Sequence, residues 1–240
     1  MMKKVKLIIL GAGVVLGTTL FTACGGNKTV DAKDAQEVAI GAGDAVYTIN
    51  NEESTIVWTG KKSLVESSHT GTINATEGTI TVDGGVITAG KFVLDMNTIV
   101  STDITDADMN GKLVGHLKSA DFFDVEVHPT TTFEITSASK LEEVDSLNNN
   151  YKIAGNLTIK GVAKNIEFPA NVTIENGVLT AKADFAIDRT QWEVKYGSGT
   201  VFSDLGDKAI SDAIEFNVTL KANAQTEAAA TTENHEGHAH

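Results

Sequence analysis

The segment HLKSADFFDVEVHPTTTFEI, His116 to Ile135, gathers most of the side chains able to do chemistry. Two imidazoles, His116 and His128, stand within a dozen residues of Asp121, Asp124 and Glu126. Such a set could bind a divalent metal or move a proton. A metal needs its ligands to converge on one point, with spacing set by the local element. Asp124, Glu126 and His128 fall at period two, so a strand there would place them on one face. His116 closes a helical pattern instead, and its expected role is to tie down the helix end. The same segment carries Phe122, Phe123, Phe133 and Ile135, for which burial is the simplest explanation.

Nucleophilic chemistry has less to stand on. There is no Gly-x-Ser-x-Gly elbow and no glycine-rich phosphate loop ahead of a helix. Ser67, Ser68 and His69 are contiguous, but neighbours along a strand point to opposite faces and so do not assemble a triad. No catalytic residue is expected, and the chain reads as a non-enzyme. A separate histidine group, His235, His238 and His240 beside Glu233 and Glu236, closes the sequence. Imidazoles on a flexible tail can wrap Zn or Cu, which makes metal handling at the cell envelope the alternative function.

The elements around these residues are dominated by alternation. Twenty-two glycines against two prolines, with many Thr, Val and Ile, favour strands joined by tight turns. TITV and VI flank Asp83-Gly84-Gly85, and Asn176-Gly177 separates two further alternating runs; both are hairpin signals. About eight strands of period two follow one another. Only Asp106 to Ser119 looks helical, with Met109, Leu113, Val114 and Leu117 at three- and four-residue spacings. One helix cannot supply the crossovers of a parallel sheet, so the sheet is expected to be antiparallel. Periodicity alone leaves sandwich and barrel both open. Four Asn-x-Thr triplets, at Asn74, Asn156, Asn171 and Asn217, read as Thr-rich strand faces.

The two ends are different in character. Lys3, Lys4 and Lys6 precede the apolar run from Leu7 to Ala23, which is short of the ~20 apolar residues of a membrane span and reads as an export signal, residues 1–23. LFTAC resembles a bacterial lipobox, so Cys24, the only cysteine, is expected to be acylated and to hold the protein on a membrane. Removing three lysines takes the formal charge from −13 to −16. That surface repels nucleic acid and gives the anchor no basic patch. Residues 24–45 are expected to be a flexible tether, 46–221 the domain, and 222–240 a disordered tail.

Two long motifs, HLKSADFFDVEVHPTTTFE and GNLTIKGVAKNIEF, resemble the signatures of the YceI-like family of exported lipid-binding proteins. IVWTGKK, SHTGTI and AIDRTQW match its other landmarks in order, so the resemblance covers about Val46 to Lys221. It implies an all-β, extended antiparallel, lipocalin-like barrel of about eight strands with one short helix. It also implies a bound polyisoprenoid or fatty amphiphile and no other cofactor. Trp58, Phe92, Leu94, Met96, Phe133, Ile135, Leu157, Ile159, Phe168, Phe185 and Ile187 are the expected cavity lining. Leu113, Leu117, Phe122 and Phe123 are expected to plug or gate one end. Arg189 and Trp192 would sit at the mouth near a polar headgroup, the alternative being an exposed Arg189 paired with Asp184 or Asp188. The protein would bind or carry its ligand at the cell envelope, facing periplasm or surface. Whether two barrels pair as a homodimer stays open.

Overall fold

The computed structural model describes residues 29–225. Cys24, His235, His238 and His240 lie outside the described residues. The strands are β1 (Lys33–Asp34), β2 (Ala45–Ile49), β3 (Thr55–Lys62), β4 (Ser68–Asp83), β5 (Val86–Ser101), β6 (Thr130–Lys140), β7 (Tyr151–Ile159), β8 (Val162–Glu175), β9 (Val178–Asp188) and β10 (Ile210–Ala224). A single α-helix, α1 (Ala107–Lys118), sits between β5 and β6. Every pairing between these strands is antiparallel.

β3 to β10 follow one another around a ring, and β10 closes it by pairing with β3. The closing register sets Trp58 opposite Phe216, which in turn faces Phe185 on β9. β2 continues the lane of β3, between β10 and β4. The result is a closed eight-lane barrel, which removes the exposed edges an open sheet would leave. Inward positions are apolar and outward ones polar: Ile153 is buried while its neighbour Lys152 is exposed. This is the reverse of a lipid-facing barrel wall.

Local chemistry explains where the strands turn. Gly84 and Gly85 have φ of 53° and 78°, and Asn176 and Gly177 have 52° and 77°. Two-residue hairpins need positive φ at both positions, which Asn and Gly tolerate. In α1 the Asp106 carboxylate accepts the Met109 amide at 2.9 Å and caps the first turn. Asn110 Nδ2 donates to the Ser101 and Ile104 carbonyls, which fixes the helix over the end of β5. The connections β3–β4, β5–β6, β7–β8 and β9–β10 all fall at this helix-covered end.

The expected tether is corrected by its described part. Residues 29–44 lie against the outside of the barrel as a strap. The reason is that two seams of the sheet open and leave backbone groups to be satisfied. β8 and β9 pair only from Asn171 and Lys182 onward; above that point Val30 N donates to Ala186 O and β1 pairs with Asn165 and Lys164. β5 and β6 pair only over Lys91–Asp95 and Thr130–Glu134; beyond them Ala39 N donates to Ile135 O. Between the seams, Asn156 on the outer face of β7 exchanges two hydrogen bonds with the Gln36 backbone, at 3.0 and 2.7 Å. Asn165 Nδ2 donates to Asn156 Oδ1 and to Thr136 Oγ1. Both asparagines are buried, so the Asn-x-Thr triplet at Asn156 is a fastening as well as a strand face.

Asn156→Ala leaves the Gln36 amide and carbonyl unpaired under the strap. Denaturant unfolding should show it less stable by about 2–3 kcal/mol.

Candidate functional site

The interior of the barrel is left partly empty. Inward-facing glycine and alanine positions explain part of this, and the aromatic rings explain its shape. Phe92, Phe133, Phe168, Phe185 and Phe216 form a belt across β5, β6, β8, β9 and β10. Successive ring centroids lie 6.5, 5.6, 4.3 and 5.6 Å apart. The belt passes over β7 because Gly155 faces inward there. A Cβ at Gly155 would collide with Phe133 Cζ, so any side chain would push the phenylalanine off. At Gly71 a Cβ would collide first with the Val100 carbonyl and then with the Trp58 ring, 2.7 Å away.

Two cavities follow end to end along the axis. The one at the helix-covered end measures about 450 Å³ and the inner one about 150 Å³. They share Leu94, Thr131, Ile159 and Phe216 as a waist. The outer cavity is walled by Trp58, Met96, Leu113, Leu117, Phe122 and Phe123, and the inner one by Phe92, Phe133, Ile135, Leu157, Phe168 and Phe185. The Thr131 hydroxyl is occupied by Met96 Sδ at 3.2 Å, so the waist presents little free polarity. The structure therefore brings together all the expected lining side chains except Ile187, which is fully buried in the packed part of the wall. Phe216, Val218 and Leu220 on β10, with Ile73 on β4, also line the space. The alternation of β10 contained that signal, since Phe216, Val218 and Leu220 fall at period two.

The mouth opens among Lys61, Lys62, Ser67, Ser68, His69 and Lys208. His69 Nδ1 stands 2.9 Å from Asp103, which also accepts the Thr70 amide and the Ser101 hydroxyl. Burial works against the Asp103 charge, but His69 and these hydrogen bonds together lower its carboxyl to about 2. His116 packs edge-on against Phe122 and Tyr196, with centroids 5.2 and 4.5 Å away, and its Nε2 is 3.5 Å from Asp121. Asp124, Glu126 and His128 do not share a strand face: the chain turns through Phe122–Val127, with Asp124 at φ 49°. Among the described residues no three His, Cys, Asp or Glu side chains come close enough to hold a metal ion.

Arg189 does line the outer cavity at the mouth end, but neither as a free headgroup cation nor as an exposed ion pair. Arg189 is buried, 1% exposed, and donates to the carbonyls of Ser211, Val194 and Ile210 at 3.0, 2.6 and 3.2 Å. Its nearest carboxylate is Asp212, at 3.6 Å. Burial lowers its pKa, with Asp212 and Asp188 opposing. The guanidinium also lies 5.7 Å from the Phe122 centroid, so it holds the β9–β10 connection against the outer cavity wall. Trp192 is not at the mouth: it is fully buried and donates Nε1 to Leu157 O at 2.9 Å. Backbone carbonyls thus satisfy the buried N–H groups of both side chains.

A closed β-barrel with an apolar, lidded interior defines the lipocalin-like class of small-molecule containers. Residues 47–222 match the model of the YceI-like domain, and the chain belongs to that family. It is 32% identical over 162 residues to a UPF0312 protein of Pseudomonas aeruginosa, covering 67% of this chain and 71% of that one. A UPF0312 protein of Azotobacter vinelandii is 30% identical over 147 residues, 60% of this chain and 71% of the relative. Two solved structures share the fold. BcnA of Burkholderia cenocepacia has a TM-score of 0.56 at 20% identity, covering 73% of this chain and 99% of its own. A polyisoprenoid binding domain from Saccharophagus degradans, implicated in plant cell wall breakdown, has a TM-score of 0.55 at 14% identity, covering 79% and 100%.

Two measurements check the mouth and its support. Arg189→Lys keeps the charge but cannot reach all three carbonyls, so unfolding should be easier by about 2–4 kcal/mol. Asp103→Asn tests the depressed carboxyl. The lowered pKa contributes stability that is full above about pH 4, the ordinary aspartate range, and is lost as pH falls through about 2. Denaturant melts at a series of pH values should therefore show wild type and variant differing at neutrality and converging near pH 2.

Proposed function

We propose that the protein binds and carries a long-chain amphiphile, a polyisoprenoid or a fatty chain, inside the barrel at the cell envelope. The observation that carries this reading is the pair of adjacent apolar cavities that share Leu94, Thr131, Ile159 and Phe216 in their walls. A chain threaded through both gains roughly 0.8 kcal/mol per buried methylene, so about ten methylenes give micromolar affinity before entropic losses. No charged clamp is needed for that, and none of the expected histidines is called on for chemistry. The polyisoprenoid-binding description of the Saccharophagus degradans domain supports the same ligand class. An acyl group on Cys24 would hold the protein at the membrane from which such a ligand comes.

Organic extraction of the full chain purified from its native membranes, followed by mass spectrometry, is expected to yield a stoichiometric long-chain lipid. A folded protein that releases no lipid and takes up no added polyprenol would end the proposal. Leu94→Trp should narrow the waist. Losing two methylene contacts at about 0.8 kcal/mol each corresponds to about tenfold. Long polyprenols should therefore bind about tenfold more weakly, while chains short enough for the outer cavity keep their affinity.

A further inference from the structure

We infer that the mouth end of the barrel docks onto a phospholipid leaflet, with the tips of two loops immersed in it. This rests on the cargo reading above and on acylation of Cys24. The first loop, between β3 and β4, exposes Leu64 and Val65 (69% and 41%), and the second, between β9 and β10, exposes Val201 and Phe202 (44% and 49%). The β6–β7 loop at the far end also exposes Val144 and Leu147 (59% and 75%), so what marks the mouth is two such loops side by side at the cavity opening.

The two loops are neighbours. Ser63 N donates to Ala209 O at 3.0 Å, Lys62 pairs with Ile210, and Ser198 bridges to Ile210. They frame the opening of the outer cavity, whose wall includes Lys62, Ser67 and Lys208. The rim itself is polar, with Lys61, Lys62, Ser67, Ser68, His69 and Lys208, so the apolar tips flank the opening that a chain would use between bilayer and barrel. Charge does not drive the contact, because the same loops set Lys62 and Lys208 against Glu66, Asp204 and Asp207. Insertion of apolar tips is left as the attraction, and it suits an acidic protein that anionic headgroups repel.

The test uses the acylated full chain in phosphatidylcholine vesicles. Acylation consumes the only native thiol, so Phe202→Cys or Val144→Cys, the latter on the β6–β7 loop of the far end, offers a single labelling site. An environment-sensitive fluorophore at position 202 should shift to the blue and be quenched by lipid-borne nitroxide, and one at 144 should stay aqueous. A probe at 202 that reports water, or one at 144 that reports lipid, overturns the orientation. So does labelling of the wild-type chain, which would show Cys24 free. Leu64→Asp with Phe202→Asp should slow delivery of a bound fluorescent fatty chain to acceptor vesicles about tenfold or more, with solution affinity for that chain unchanged. Unchanged delivery overturns the inference. A protein whose 202 probe is immersed but which takes up no chain at all supports docking and sinks the cargo reading instead, so the two failures are distinguishable.

Discussion

Eight strands fix the radius of this barrel, and the side chains pointing inward must either fill that radius or leave room. The phenylalanine belt does neither completely. It is wide enough to hold the wall apart and, because Gly155 removes a side chain from β7, it lies along the wall instead of crossing the axis. Everything functional depends on that arrangement. Leu94, Thr131, Ile159 and Phe216 narrow the lumen at its middle, and the outer half widens under α1, Phe122 and Phe123.

Most polar groups support this hollow from its wall, although Thr131, His116 and Arg189 also line the outer half and Trp58 Nε1 is buried there without a hydrogen-bond partner among the described residues. Arg189 and Trp192 bond to carbonyls from neighbouring elements and so stiffen the mouth from behind. Asp103 joins His69 on β4 to the connection that leads into α1. On the outside, the strap fills the two places where neighbouring strands part, and the asparagine pair under it satisfies the backbone it covers. A hollow interior contributes less packing than a filled one, and these fastenings hold the wall in compensation.

Much of this was legible in the chain. Hairpin dipeptides, alternation and the spacing of Leu113 and Leu117 placed the strands and the helix, because those signals act over a few residues. The cavity lining followed from period two, and Phe216 escaped only because the last strand was assigned no inward face. Sequence reasoning failed where long-range geometry decides. Asp124, Glu126 and His128 look like a strand face until a turn at Asp124 separates them. Arg189 looks like a mouth cation until the β9–β10 connection folds over it and supplies three carbonyls. The strap failed for a related reason: a polar, glycine-containing segment has no period of its own, and its structure comes from hydrogen-bonding groups on strands more than a hundred residues away.

The seam between β3 and β10 joins residues such as Trp58 and Phe216, near opposite ends of the domain. Contacts of that separation form late and slowly, since the loop they close spans nearly the whole domain. The ring cannot close until the last strand has emerged from the ribosome. Until then, β3 and β9 each present an unpaired edge and the oily face behind it. A nascent chain is therefore the form of this protein most exposed to aggregation and most dependent on a chaperone.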